Sequence, residues 1–182
     1  MGNSLIKCRL ENVKNITCFG KKDGLIKFRL YPENKFVPEN TKCLYQLIKI
    51  NPDKNKIIKD FTEIKLEDQI DGKFFVTIEN LCAGTYQIGI FTQENTDEPI
   101  QIDACIGIIM EPPKLEVIMY NKKKVNRCKY IADITVIGGV KPYKYYLNCK
   151  EYKCVDHINY LNCKKNVLKV VDANGCTIKH YI

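Results

Sequence analysis

The sequence has few histidines and no recognisable catalytic motif. Its two histidines, His157 and His180, lie in no recognisable catalytic triad or metal-binding motif. The glycine-rich stretch at 20–24 lacks the Gly-Lys-Ser/Thr ending of a phosphate-binding loop. We therefore expect a protein without enzymatic activity, cofactor or bound metal.

Long apolar runs and helical periodicity are also missing. No run of about 18 apolar residues occurs, so no transmembrane helix is expected, and residues 1–10 lack the apolar core of a signal peptide. The start partly fits an N-myristoylation signal at Gly2, but Ile6 stands where Ser or Thr is expected. Few segments place apolar residues at helical spacing. The sequence predicts at most one short helix, at 60–68, and does not favour a membrane as partner.

Alternation of apolar and polar residues is common instead. The alternating segments are 26–30, 74–79, 86–91, 132–136 and 143–147. Successive side chains of a strand point to opposite faces, so these segments are typical of antiparallel sheets with one buried face. Asn174-Gly175 suits a hairpin turn. Phe91 and Tyr146 occupy alternating positions that point away from the predicted core, and they are predicted to be exposed contact residues.

Two parts of the chain match each other. Segment 81–90 aligns without gaps on 161–170, and the first copy carries extra residues. Glu111-Pro112-Pro113 would interrupt any strand and is the best domain boundary. We therefore predict an all-β protein of two tandem immunoglobulin-like antiparallel β-sandwich domains, a larger one at 1–111 with insertions and a smaller one at 112–182.

Short turn and core motifs recur along the chain. They are Cys-Phe-Gly-x-x-Asp-Gly-x-Ile at 18–26, Leu-x-Ala-Gly-Thr-Tyr at 81–86, Gly-Gly-x-x-Pro-Tyr-x-Tyr at 138–145 and Asp-Ala-Asn-Gly-Cys at 172–176. This set resembles the SprB-type repeat of the immunoglobulin-like and PKD-like group found in surface adhesins, although neither copy holds all the motifs. The resemblance implies a β-sandwich fold. Within it, Gly138–Leu147 is predicted to form a strand-turn-strand corner, and Tyr86 either a tyrosine corner or an ordinary buried aromatic.

The chain has 10 cysteines, many for its length. Cys18 and Cys105, like Cys128 and Cys176, fall at matching places in the two copies. Each pair could meet across neighbouring strands, as a disulfide or as packed thiols, and a reducing compartment favours thiols. The spacing of Cys149, Cys154 and Cys163 near His157 fits no common zinc motif.

The net charge of +8 comes almost entirely from lysine. Lys, Asn, Ile and Tyr are all over-used, and since their codons are AT-rich, this composition first indicates an AT-rich genome. The lysines are spread along the chain, and the triple 122–124 is predicted to lie in a solvated basic turn. Arginine, the better residue for bidentate phosphate contacts, is scarce, so nucleic acid is not favoured as a partner.

These observations predict a structural or interaction protein whose partners are other proteins. The leading hypothesis is a virion component, such as a minor capsid, cement or vertex protein of an AT-rich large DNA virus, assembled in the host cytoplasm. The alternatives are a module of a surface adhesin, located at the cell surface, and a Lys-rich nucleic-acid-associated protein. Specific function is expected in the insertions of the first domain.

Overall fold

The computed structural model describes residues 6–32, 41–64, 69–70, 73–94, 98–152, 157–161 and 165–182. These residues form strands and turns, and none of them lies in a helix that could span a membrane. The strands of this part of the chain are β1 (Ile6–Lys14), β2 (Gly24–Pro32), β3 (Thr41–Ile50), β4 (Lys56–Glu63), β5 (Gln69–Ile70), β6 (Lys73–Leu81), β7 (Gly84–Glu94), β8 (Ile100–Ile109), β9 (Glu116–Lys124), β10 (Lys129–Ile137), β11 (Lys144–Leu147), β12 (Lys150–Tyr152), β13 (His157–Leu161), β14 (Val167–Val171) and β15 (Thr177–Tyr181). The predicted all-β antiparallel fold class is confirmed.

The chain divides into two compact units. The first contains Met1–Ile16 and Gly20–Met110, and the second contains Thr17–Phe19 and Glu111–Ile182. The sequence assigned Thr17–Phe19 to the first domain. In the structure these residues belong to the second unit, where Cys18 is bonded to Cys176.

The first unit consists of two four-stranded sheets, with strand orders β1-β2-β6-β5 and β4-β3-β7-β8. In immunoglobulin nomenclature these orders are A-B-E-D and C′-C-F-G. Alternate residues of β2 and β7, such as Phe28 and Ile88, are fully buried between the sheets. The Tyr86 hydroxyl donates a hydrogen bond to the Cys82 carbonyl at 2.9 Å, which is the geometry of a tyrosine corner at the start of strand F.

The second unit follows the same strand order. Its sheets are β13-β10-β9 and β12-β11-β14-β15, with no counterpart of β5 among the described residues. Ala132, Ile134, Ile158, Leu168 and Val170 form the centre of its core. Descent of the two units from one repeat stays a prediction.

Gly138 and Tyr143 form the predicted corner between β10 and β11. Gly138 has φ +70°, and a Cβ atom there would overlap the Lys114 carbonyl, so this position needs glycine. The Tyr143 hydroxyl donates to the Gly138 carbonyl at 2.6 Å. Asp172, which directly follows β14, is 4% exposed and accepts a hydrogen bond from the Val140 amide at 2.9 Å. The corner is therefore fixed by contacts with side chains and backbone of the second unit.

Two local predictions are corrected by the strand assignment. Asp60–Glu63, the start of the predicted helix, lies in strand β4, and residues 65–68 are outside the described residues. Lys122–Lys124 are the last residues of strand β9 rather than a turn, because Lys123 and Lys124 pair with Ile131 and Tyr130 of β10. Gly2 and most of the insertion at 31–43 also lie outside the described residues.

Candidate interaction surfaces

The sheet β4-β3-β7-β8 has an apolar outer side. Its inner side contributes Leu47, Ile88 and Ile90 to the core of the first unit. The side chains that point away from the core include apolar ones that are exposed or half-buried, interspersed with polar ones such as Gln46, Thr85 and Gln87. We call the apolar set the apolar face, and it consists of Ile48, Ile50, Ile57, Phe61, Phe91, Ile106, Ile108 and Met110.

Strand β8 shows most clearly how this face arises. Ile109 points inward and is buried, whereas Ile106 and Ile108 point outward and are 55% and 57% exposed. The residue after the strand, Met110, is 62% exposed. An edge strand with one solvated side usually carries polar residues there. In residues 104–109 of β8, the inward-facing and the outward-facing residues are both apolar, so a stripe of hydrophobic side chains faces water.

The exposed residues of neighbouring strands continue this stripe across the sheet. Ile57 of β4 is paired with Ile48 of β3, Ile48 with Gln87 of β7, and Gln87 with Ile106 of β8. The next row joins Ile108, Thr85 and Ile50 in the same way. Residues paired directly across strands lie about 5 Å apart. The exposed isoleucines therefore lie in two adjacent rows of one sheet, with Gln87 and Thr85 of β7 between those of β3 and those of β8.

A charged residue, Asp60, lies on the edge strand β4 between Ile57 and Phe61 of the apolar face. The Gln46 side-chain amide donates to Asp60 Oδ1 at 3.0 Å, and the Phe61 amide donates to the same oxygen at 2.9 Å. These hydrogen bonds stabilise the carboxylate and hold the pKa of Asp60 below its ordinary value. Asp60 is thus fixed on the edge strand β4, away from the isoleucine stripe of β8.

The opposite sheet of the same unit has a charged outer side. There the Arg29 Nε atom lies 3.0 Å from Glu11 Oε1, and the Lys27 ammonium lies 4.7 Å from the centroid of the Phe75 ring. Arg9 is exposed on the neighbouring strand β1. This sheet has the usual pattern of apolar inner and charged outer residues. The apolar face is therefore a specific property of β4-β3-β7-β8.

Both edges of the sheet β4-β3-β7-β8 are protected, in contrast to its face. Strands β1 and β8 lie side by side from opposite sheets, with a disulfide between Cys8 and Cys105 and a hydrogen bond from the Cys8 amide to Asp103 Oδ2 at 2.7 Å. The other edge, β4, pairs irregularly with β3 and carries exposed Lys56 and Lys59. Irregular pairing and lysines both oppose the addition of another strand.

The two predicted contact residues lie on different surfaces. Phe91 is half-buried on the apolar face, where its ring centroid is 4.9 Å from that of exposed Phe61, in a perpendicular arrangement. Tyr146 is half-buried on the second unit and lines an open hollow of about 440 Å³ together with Cys149, Lys169 and Tyr181. The Lys169 ammonium lies 5.5 Å from the centroid of the Tyr146 ring. Phe91 thus lies on the apolar face of the first unit, and Tyr146 lies in a hollow of the second unit.

The residues that dominate the apolar face were not among the predicted contact residues. Ile106 and Ile108 lie in a segment, 104–110, that is apolar at almost every position. Such a pattern is typical of a strand buried on both sides. The available signal was the position of this strand at the end of the first domain, since the last strand of an immunoglobulin-like sheet is an edge strand.

The predicted cysteine partners were wrong. Cys105 is bonded to Cys8, and Cys176 to Cys18, with Cα–Cα distances of 5.9 and 5.7 Å. Cys128 is half-buried, directly precedes β10 and is not bonded to Cys176. Matching positions in two copies do not determine which residues meet, because β1, which was not identified as a strand, brings Cys8 against β8.

The remaining candidate groups do not assemble into a site. His157 lies on β13 and His180 on β15, and no group of three or more His, Cys, Asp or Glu side chains in the described ranges could hold a metal ion. Cys154 and Cys163 lie outside those ranges. The Lys122 ammonium lies 5.4 Å from the ring centroids of Tyr130 and Tyr160, so it rests on the sheet surface.

No protein-family model and no curated protein matches this sequence. Among solved structures, HBP35 of Porphyromonas gingivalis is similar at 12% identity with a TM-score of 0.44. The similarity covers 98% of this chain and 63% of that chain.

Proposed function

We propose that this protein is a non-enzymatic structural component that works by binding other protein surfaces. The apolar face is the observation that supports this proposal. A soluble monomer rarely exposes a contiguous apolar surface of more than a few hundred Å², and larger ones commonly mark interaction sites. Here exposed isoleucines on three strands lie in adjacent rows of one sheet, with Thr85 and Gln87 of β7 among them, while the opposite sheet is charged.

The size of the apolar face suits a protein partner. Four strands about 4.8 Å apart and about nine residues long cover about 20 by 30 Å, or about 600 Å². Specific interfaces bury about 800 Å² on each partner. Covering the face with another protein would remove exposed Ile and Phe side chains from water, at about 25 cal/mol per Å² of apolar area.

The assembly that the composition favours is a virus particle. We place the chain in the virion of an AT-rich large DNA virus, as a minor capsid, cement or vertex protein assembled in the host cytoplasm. The over-use of Lys, Asn, Ile and Tyr supports this assignment, and the β-sandwich architecture is compatible with it.

Mass spectrometry of purified particles and of cell fractions tests this proposal. The native chain should be found in the particles at a fixed ratio to the other components. A double variant, Ile106→Lys with Ile108→Lys, should be lost from them, while a control variant with the exposed residue Thr77→Lys on the opposite sheet should be retained. Absence of the native chain from particles, or equal retention of both variants, would contradict the proposal.

A module of a surface adhesin is the second candidate, and the disulfides favour it. Cys8–Cys105 and Cys18–Cys176 are bonded in the structure, and disulfides persist mainly in oxidising, extracellular compartments. Labelling intact cells with a membrane-impermeant reagent discriminates the two candidates. Labelled chain on the cell surface, with none in particles, would favour the adhesin.

A further inference from the structure

We propose that the apolar face binds a second copy of this chain, sheet against sheet, in a symmetric dimer. This inference rests on the proposed function, because it names the partner of the same surface. Two flat β-sheets stack about 10 Å apart when apolar side chains interdigitate between them. In a two-fold symmetric dimer the same residues face each other, so a flat surface of isoleucines is complementary to its own copy.

The charge of the molecule favours this surface for self-association. Each copy carries a net charge of +8, and two copies repel each other over most orientations. On the outer side of β1-β2-β6 a copy would meet Arg9 and Lys27 of its partner. On the apolar face the central row is Ile57, Ile48, Gln87 and Ile106, which carries no charge. Contact through this face therefore avoids most of the repulsion between like charges.

The two edges of the sheet β4-β3-β7-β8 are less suited to association than its face. Strand β8 is covered by β1, and strand β4 presents Lys56 and Lys59. Strand addition at either edge would displace a packed strand or desolvate lysines. Within this sheet, the face is the surface where burial of apolar side chains is most favourable.

The size of the surface predicts a reversible dimer. Two copies that pack over the whole outer side of the sheet, about 600 Å² each, would bury at most about 1,200 Å², which is the lower end for specific complexes. We expect a monomer–dimer equilibrium that shifts with protein concentration in the micromolar range, rather than a permanent dimer.

Sedimentation equilibrium of the full chain, from low micromolar to submillimolar concentration, tests this proposal. The native protein and the Thr77→Lys control should dimerise alike, whereas Ile106→Lys with Ile108→Lys should weaken dimerisation at least tenfold. Should the double variant fail to fold, Gln87→Glu is the second test. It places a negative charge at the centre of the face by changing a residue that is already polar, and it should also weaken dimerisation.

Three outcomes would overturn the dimer. The native chain could stay monomeric at every concentration, dimerisation could persist unchanged in Gln87→Glu, or a monomeric chain could bind vesicles of anionic phospholipid through the Ile106 and Ile108 side chains. A monomeric native chain would leave the proposed function standing if incorporation into particles still required those isoleucines. Retention of the double variant in particles would contradict the proposed function whatever the oligomeric state.

Discussion

Asp172 connects two motifs that lie far apart in the sequence. Its Oδ2 atom accepts a hydrogen bond from the Val140 amide at 2.9 Å. Its Oδ1 atom accepts from the Asn174 amide at 2.9 Å and the Cys176 amide at 2.8 Å. The Gly-Gly-x-x-Pro-Tyr corner and the Asp-Ala-Asn-Gly-Cys turn are therefore held by one buried carboxylate. This contact gives a physical reason why the two motifs occur together in the second unit.

Replacing Asp172 by Asn should lower the free energy of unfolding of the second unit by about 2–4 kcal/mol. An amide has one acceptor oxygen and an NH₂ group, so at least one backbone amide loses its partner in a buried position. Urea denaturation measures the change. The exposed Glu151→Gln replacement is the control and should change stability by less than about 0.5 kcal/mol. An Asp172→Asn protein as stable as the native chain would contradict the role given to this carboxylate.

Because Cys43 is buried, we predict that the free energy of unfolding falls in alkaline solution. It is 1% exposed, and burial raises the pKa of its thiol from 9.0 to about 11. Between about pH 9 and about pH 11 the unfolded chain loses this proton while the folded chain keeps it, so stability falls as pH rises, by about 2–3 kcal/mol in total. Burial also raises the pKa of Tyr86, which acts in the same direction.

The comparison that isolates Cys43 is between the native chain and Cys43→Val. The valine variant should lose less stability between these pH values, in urea titrations at a series of pH values. Identical slopes would show that the Cys43 thiol ionises as readily in the folded chain as in the unfolded one.

At the scale of the elements, strand β8 separates the core from the apolar face. Ile106 is more than half exposed, so Ile106→Lys should change the free energy of unfolding by less than about 1 kcal/mol. Ile109 is 2% exposed, and Ile109→Ala should cost about 2–4 kcal/mol because it leaves a cavity in the core. Denaturant titration of both variants checks the orientation of the strand. A large loss in Ile106→Lys with little loss in Ile109→Ala would reverse the assignment of the two faces.

The sequence predicted the positions of the strands better than it predicted which strands pair with each other. Alternation located β2, β6, β7, β10 and β11, because a half-buried strand leaves a period of two. The same alternation at Ile6, Cys8 and Leu10 of β1 was not used, and the partner of Cys105 was missed with it. Asp60–Glu63 was assigned to a helix, although β4 pairs with β3 there. Pairing between strands is a long-range property that residue patterns specify only indirectly.

Phe91 was predicted as a contact residue because local alternation reveals which side chains leave the core. Ile106 and Ile108 could not be identified in this way, since their neighbours are also apolar. The arrangement of the sheets shows that their side of β8 faces water.

At the scale of the whole molecule, the disulfides should contribute strongly to stability. Cys8–Cys105 spans 97 residues and Cys18–Cys176 spans 158. Closing a loop of about 100 residues restricts the unfolded chain and adds about 4–5 kcal/mol in the chain-entropy model. Reduction should therefore lower the denaturation midpoint markedly, and Cys18→Ser should lower it more than the control Cys149→Ser, which removes an exposed free thiol.

Alkylation before and after reduction, followed by peptide mapping, identifies the bonded cysteines directly. In the unfolded chain, Cys8, Cys18, Cys105 and Cys176 should react only after reduction, whereas Cys43 and Cys149 should react without it. Alkylation of Cys18 and Cys176 without a reductant would show that they are thiols, and would remove the observation that favours an extracellular location.

In the first unit, the apolar face differs from the charged outer side of the opposite sheet. A protein that exposes the apolar face of β4-β3-β7-β8 on every copy is suited to assembly, and the central row of that face carries no charge. The proposed dimer requires that copies meet there.

Photo-crosslinking tests most directly whether two copies contact each other through the apolar face. A photoreactive amino acid at Gln87, in the central row of the face, should give covalent dimers on illumination of the purified chain, whereas the same residue at Thr77 on the opposite sheet should give almost none. Crosslinks from Gln87 that map to Ile48, Ile57 or Ile106 of the other copy are the predicted result. Dimers that form equally from both positions, or from Thr77 alone, would contradict it.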